Sequence, residues 1–351
     1  MKRIAVIAHG LSGGGAERVA AMLANYFAER QYTVLFVAAY SSEREYELDR
    51  RIEYIYIDCA SPNHVIRMIS RSFKIKNVVT KFKADMAFSF ITNELIPLEF
   101  TRIPVIPSLR IDPKSTDASF VRRNIRKFVY HHAKNIVFQT KDARDYFDAA
   151  IRKKGIIIGN PIQDNLPVWN KNGHRKVFIT ACRISKQKNI PMLVNAFIAF
   201  HCKHPDYTLE IYGDGDPKQY KDQMVQYVNN LAADKFITFM GHSTSIHTIM
   251  SNSAAFVLSS DFEGLSNSML EAMAIGIPSI CTDCPPGGAK EYMKGGEAGI
   301  LVNVGDTKAL TKAMCDIVED SELSYRISEN GKYVREYLMK DVVCAQWEKL
   351  I

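Results

Sequence analysis

Glu263 and Glu271 stand eight positions apart at the two ends of the chain's most chemically suggestive stretch, EGLSNSMLE, residues 263–271. An apolar run, residues 254–260, precedes it and reads as a buried strand. Glu263 then falls in the loop at the strand's carboxyl end. Ser266 or Asn267 is placed to cap a helix, with Glu271 inside it. A carboxylate before a helix start and another within the helix can hold two hydroxylated parts of one ligand, and the exposed N–H groups between them suit its phosphates. Either glutamate alone reads as a surface carboxylate. A second segment changes that balance. Arg183 and Lys188 follow another apolar run, VFITA, residues 177–181. A guanidinium fork and an ammonium point charge just past a strand suit a diphosphate, and both stabilise the charge that develops on a departing one.

Three further motifs carry weaker signals. The loop Gly10-Leu11-Ser12-Gly13-Gly14-Gly15 precedes a helical pattern, and glycines there let backbone N–H groups approach a phosphate. No Lys-Ser/Thr pair follows and the spacing is not GxGxxG, so it is neither a P-loop nor a dinucleotide fingerprint. Asp214-Gly215-Asp216 has the DxD shape of a metal-holding pair but reads as a turn after a strand, with Arg183 and Lys188 already supplying positive charge. Cys281 and Cys284 have CxxC spacing, yet no second pair completes a zinc site, and the segment reads as a strand end.

These groups need a frame to position them. The chain has 351 residues, too many for one average domain and about right for two. Short Val/Ile/Phe-rich runs alternate with helical stretches, the signature of parallel sheets covered on both faces. The alternation breaks in a Pro/Asn/Gly-rich stretch and then restarts. The expected organisation is α/β: two Rossmann-like domains with a cleft between them, residues 1–160 and 176–338, a linker at 161–175, and a C-terminal helix at 339–351 that packs back on the first domain. Ligands are expected in loops at the carboxyl ends of the strands.

Charge is uneven. Residues 1–170 hold 26 Lys/Arg against 17 Asp/Glu, and the remainder 19 against 21. The basic first half implies an anionic partner, and FVRRNIRKFVYHHAK, residues 120–134, interleaves cations with apolar residues as an interfacial helix does. No recognition motif supports nucleic acid. No apolar run approaches the length of a membrane span, the N-terminal run reads as a strand, and the seven scattered cysteines read as reduced thiols. A cytoplasmic protein, peripheral at the membrane's cytoplasmic face, is expected.

In order along the chain, GGAERV (14–19), Arg183 with Lys188-Asn189, YGDG (212–215), FMGH (239–242) and EGLSNSMLEAMAIGIP (263–278) resemble the retaining glycosyltransferases of the GT-B fold, family 4, glycosyl transferases group 1. The resemblance spans nearly the whole chain. It implies a nucleotide-sugar donor, UDP being the commonest nucleotide in the group, and no cofactor. Arg183 and Lys188 would hold the diphosphate and Glu271 the ribose. Glu263 would contact the transferred sugar, with backbone donors from Gly264, Leu265 and Ser266. Gly241, His242 and Ser243 would lie beside the base, and Gly14 and Gly15 would close over the sugar-phosphate. The acceptor would be a glycan, on a lipid pyrophosphate. Many relatives carry Gly where Cys182 stands, and several place a His where this chain reads Pro107-Ser108-Leu109-Arg110-Ile111-Asp112. Arg110, Asp112 and, at the first strand end, His9 are therefore the acceptor-side candidates. The rival readings are a UDP-sugar epimerase of the same fold and a non-catalytic sugar-nucleotide-binding scaffold.

Overall fold

The computed structural model describes residues 2–116 and 119–351. The chain divides into two compact units, Met1–Pro161 with Lys340–Ile351, and Ile162–Met339. Each is built on one parallel sheet.

In the first unit, β1 (Arg3–Ala8), β2 (Thr33–Ala38), β3 (Glu53–Tyr56), β4 (Met86–Ser89), β5 (Val105–Leu109), β6 (Ile136–Phe138) and β7 (Gly155–Ile157) lie in the order β3-β2-β1-β4-β5-β6-β7. All their pairings are parallel. Runs such as IAVIA and VLFVA are apolar at every position because helices cover both faces, and every residue of β4, β5 and β6 is buried. The order reverses between β1 and β4, which leaves a crevice at their carboxyl ends.

The chain's last helix, Lys340–Glu348, belongs to this unit. Its Trp347 is 1% exposed and meets Phe88 and Phe90 at centroid distances of 5.5 and 5.7 Å. The hydroxyls of Tyr26 and Tyr32 donate to Glu348 at 3.0 and 3.1 Å. Trp347→Ala would leave a large cavity in a packed aromatic cluster, so we expect chemical denaturation to show a loss of about 3–5 kcal/mol in the first unit.

The same unit buries an awkward acid. Glu99 follows Leu98 in the short helix Ile96–Glu99, and its Oε1 is buried with no hydrogen-bond partner. Burial pushes its carboxyl from 4.5 up to about 7, against the opposing charges of His132 and Lys154. The folded state therefore holds this proton more tightly than the unfolded chain. The contribution is complete below the unfolded value and is lost as pH rises through about 7. Glu99→Gln should leave stability at pH 5 nearly unchanged and raise it at pH 8 by on the order of 1–3 kcal/mol, read from denaturant midpoints.

The second unit repeats the plan. β8 (Val177–Ala181), β9 (Thr208–Tyr212), β10 (Ile237–Gly241), β11 (Ala255–Leu258), β12 (Ser279–Thr282) and β13 (Ile300–Val302) take the order β10-β9-β8-β11-β12-β13, again parallel throughout. The switch point lies between β8 and β11. After β8 the chain passes Asn189, whose left-handed φ of 44° and side-chain bond to Met192 N start the helix Ile190–His201. That helix buries Leu193, Phe197 and Phe200 against the sheet.

Residues 162–175, within the linker expected at 161–175, are grouped with the second unit. They are irregular but sewn to the second unit. Trp169 donates through its backbone to Ile275 O and through Nε1 to Ser253 O, both at 2.9 Å, and Asn170 N donates to Ser251 O at 2.8 Å. A Pro/Asn-rich segment has no internal ladder, so its backbone groups pair with the surface it crosses.

Candidate active site

The loops that follow β8 and β11 meet at the switch point of the second sheet and are bonded along their length. Ser259 Oγ donates to Lys188 O at 2.9 Å, Asp261 N to Gln187 O at 2.8 Å, Asn189 Nδ2 to Asp261 Oδ1 at 2.7 Å, and Gln187 Nε2 to Phe262 O at 2.8 Å. Glu263 is anchored by its own N–H, which donates to Pro285 O at 2.9 Å.

Within this frame the Lys188 ammonium donates directly to Glu263 Oε1. Ser260 Oγ donates to the same oxygen at 2.7 Å, and Gln187 Nε2 reaches Oε2 at 3.3 Å. The two charged side chains are only 12% and 14% exposed. Burial works against the lysine's charge, but Glu263 foremost, with Cys182 and Cys284, outweighs it and holds Lys188 above the ordinary lysine range. The pair is ionic, desolvated and backed by further hydrogen bonds, the arrangement in which removing one partner is most costly.

Arg183 is the opposite case. Its side chain is about half exposed, and its Nη1 donates to Asp216 Oδ2 at 2.9 Å. The turn that brings Asp216 there depends on Gly213. At φ 128°, a Cβ would lie 1.9 Å from Cys182 O, so only glycine lets the β8 and β9 loops touch. Ile184 N then donates to Asp214 O at 2.8 Å, and Asp216 N to Ile184 O at 2.9 Å. Asp214 faces Lys221 at 3.5 Å. Each carboxylate of the DxD shape is thus matched to a cation.

Glu271 sits in the helix Asn267–Ile275, which Ser266 caps through Met269 N and Gly276 ends at φ 85°. Gly264 and Leu265 form the turn into it, close against Gly288, where a Cβ would meet Gly264 O at 3.0 Å. The Glu271 residue is 5% exposed, and its Oε2 lies 2.9 Å from His247 Nε2. His247 belongs to the short helix Ile246–Ser251 and was not singled out in the sequence, where a lone histidine in a helical segment carries no motif. Gly241 closes β10 at φ 75° and accepts from Gly213 N at 2.9 Å, so His242 and Ser243 leave the sheet beside the same loops. Cys281 lies in β12, and both it and Cys284 are buried free thiols. Burial, then Glu263, pushes Cys284 up to about 12.

In the first unit, Gly14 precedes the helix Gly15–Glu29, and Gly13, at φ 77°, donates its N–H to Glu45 Oε2 at 2.8 Å. His9 stands exposed at the end of β1, its ring stacked on Tyr40 at 4.7 Å and 7°. The Arg71 guanidinium lies 3.9 Å from the same Tyr40 ring, and the Tyr40 hydroxyl donates to Glu94. Glu94 is 1% exposed, and burial pushes its carboxyl up against the pull of Tyr40, Arg71 and Arg122. Tyr40, Arg71 and Glu94 are scattered in sequence, and only the fold gathers them beneath His9. Arg110 and Asp112, the other acceptor-side candidates, have partners within the first unit. Arg110 donates to Asn160 Oδ1 at 2.6 Å and lies over the rings of Phe90 and Trp347, while the buried Asp112 accepts from Lys114 N at 3.2 Å at the start of the helix Pro113–Thr116.

Two doubly wound parallel sheets in one chain match the GT-B architecture of glycosyltransferases. The chain belongs to that enzyme class by sequence as well: residues 13–165 match the family Glycosyltransferase Family 4, and residues 175–320 match Glycosyl transferases group 1. Among its relatives is the N-acetylgalactosamine-N,N'-diacetylbacillosaminyl-diphospho-undecaprenol 4-alpha-N-acetylgalactosaminyltransferase of Campylobacter jejuni, 23% identical over 95% of this chain and 94% of the relative. A glycosyltransferase of Methanocaldococcus jannaschii without an assigned reaction is 22% identical over 92% and 93%. Among solved structures, HepE of Anabaena in complex with UDP and glucose superposes with a TM-score of 0.85 at 17% identity, covering 100% of this chain and 99% of that one. Among the described residues, no helix is long and apolar enough to cross a membrane.

Proposed function

We propose that this glycosyltransferase is a retaining, metal-independent enzyme that moves a sugar from UDP to a hydroxyl of a glycan carried on a lipid pyrophosphate, at the cytoplasmic face of a membrane, in the synthesis of a cell-surface glycan. The observation that carries this reading is the buried Lys188–Glu263 pair, with Arg183 earlier in the same loop after β8, at the switch point of the second sheet. In the pair the two charges satisfy each other. A sugar diphosphate offers each a better-matched partner: phosphate oxygens for Lys188 and Arg183, sugar hydroxyls for Glu263, and ribose hydroxyls for Glu271 in its bond with His247. The UDP complex of HepE and the diphospho-undecaprenol acceptor named for the Campylobacter relative support this choice of substrates.

In the step itself, the bond from the anomeric carbon to the phosphate oxygen breaks as the bond to the acceptor oxygen forms on the same face. The acceptor proton passes to the departing phosphate. The protein positions the reactants, and Arg183 and Lys188 stabilise the growing negative charge, the task a metal performs elsewhere. The pairing of Asp214 with Lys221 and Asp216 with Arg183 supports a reaction without metal. The first unit receives the acceptor, with His9 as its contact.

A donor panel tests the reading: UDP-glucose, UDP-galactose, UDP-GlcNAc, UDP-GalNAc and GDP-mannose, each with lipid-pyrophosphate saccharides, followed by nucleotide release and the anomeric configuration of the product. We expect one UDP-sugar to turn over in the presence of chelator and Glu263→Gln to abolish transfer. Conversion of a UDP-sugar to its epimer without acceptor would overturn the transferase reading. Strict dependence on added metal would overturn the metal-free clause.

A further inference from the structure

The helix His64–Lys81 of the first unit carries an apolar stripe that none of the described residues covers. Val65 and Ile66 are each 57% exposed, Ile69 49% and Phe73 51%. At about 100° per residue these four fall within an arc of roughly 100°, so they form one face. That face is not the one that packs: Ile75 and Val79, turned away from it, are fully buried. The helix Ile96–Glu99 packs against this helix and against the helix Phe120–His132. Beside that junction stand Phe100, 72% exposed, and Phe120 and Val121, 68% and 61% exposed. Phe100 reaches the second helix directly, its ring 6.0 Å from Phe128. Four large apolar side chains exposed on this helix, with Phe100, Phe120 and Val121 exposed on the elements that follow, leave apolar surface of the kind that marks an interaction surface.

The charge around the patch selects the partner. The helix His64–Lys81 contains Arg67, Arg71, Lys74, Lys76 and Lys81 and no acidic residue, and the helix Phe120–His132 contains Arg122, Arg123, Arg126 and Lys127 and none either. Arg71 and Arg126 are buried, but Lys74, Lys81, Arg122 and Lys127 are exposed on the same two helices. A second copy of the chain, paired through the same face, would set these cations against one another. An anionic bilayer answers both features: headgroups meet the cations, and the acyl boundary receives the apolar face.

We propose that this face, centred on Val65, Ile66, Ile69 and Phe73 and extended by Phe100, Phe120 and Val121, lies in the headgroup layer of an anionic phospholipid membrane. It relocates the expected contact at residues 120–134. Val129 and Tyr130 of that stretch are buried, and its most exposed apolar side chains, Phe120 and Val121, lie in its first turn. The proposal rests on the lipid-linked acceptor for its purpose, since a surface-bound enzyme meets such an acceptor in two dimensions.

The test is flotation of the full chain with vesicles of phosphatidylcholine alone and of equimolar phosphatidylcholine and phosphatidylglycerol. Wild type should float with the mixed vesicles and not with phosphatidylcholine. The double variant Ile66→Asp, Phe73→Asp removes two exposed anchors, each worth about tenfold in partitioning, so its bound-to-free ratio should fall roughly a hundredfold. UDP affinity, measured by calorimetry on the same preparations, should be unchanged and reports that the variant is folded. Wild type that stays at the bottom, or a double variant that floats as well as wild type, overturns the proposal. So does a wild-type dimer, seen by light scattering, that the double variant dissolves, because the face would then belong to a second copy. Vesicle binding without sugar transfer would strike the proposed reaction and leave this surface standing.

Discussion

Arg183→Ala is expected to cut turnover by roughly a hundredfold or more while leaving the unfolding midpoint of the second unit in place. The two halves of this expectation come from one observation. Arg183 and Asp216 are both more than half exposed, and an exposed pair of this kind adds little to stability because water and salt screen it. On a departing diphosphate, a guanidinium fork acts where charge grows during the reaction, so its loss appears in kcat rather than in folding. Steady-state kinetics with the donor identified by the panel, alongside urea denaturation, reads both quantities. Full turnover would remove Arg183 from the diphosphate. Lost turnover accompanied by an equally large loss of stability would make it a structural residue instead.

Lys188→Met should fail in both measurements. The lysine and Glu263 are withdrawn from water, and deleting the cation leaves a buried carboxylate with only Ser260 and Gln187 as partners. We expect a loss of about 3–5 kcal/mol, with transfer abolished. Adding Glu263→Gln to Lys188→Met should restore most of the stability, since no unpaired charge is then buried, and should restore none of the activity. Because Glu263 holds the lysine's pKa up, the pair's contribution is fully present below the ordinary lysine value of 10.5 and is lost only as pH rises through the higher folded value. A single variant as stable as wild type would mean that the pair does not hold the two loops together.

The contrast between these cations was not legible in the sequence. Arg183 and Lys188 read alike as positive charges past a strand, and the strand itself was plain from the run VFITA. What separates them is the β11 loop, which arrives from 75 residues away to bury one and leave the other in water. The sheets were legible for a related reason. Parallel strands covered on both faces must be apolar at every position, and few other structures are. Glu263 and Glu271 could be placed because a strand, a loop and a capped helix follow one another without interruption. His247 could not, since its partner Glu271 lies on another element. Tyr40, Arg71 and Glu94 share that difficulty. The stripe on the helix His64–Lys81 was hidden for a different reason: an apolar residue looks the same in sequence whether or not the fold covers it, and this helix has an apolar face on each account.

A crystal structure of the protein soaked with UDP bears most directly on the donor site. The expected result is a diphosphate with its oxygens about 3 Å from the nitrogens of Arg183 and Lys188, the direct Lys188–Glu263 bond exchanged for those contacts, and the ribose hydroxyls on Glu271. UDP held elsewhere, with the Lys188–Glu263 pair intact and Arg183 still on Asp216, would contradict it.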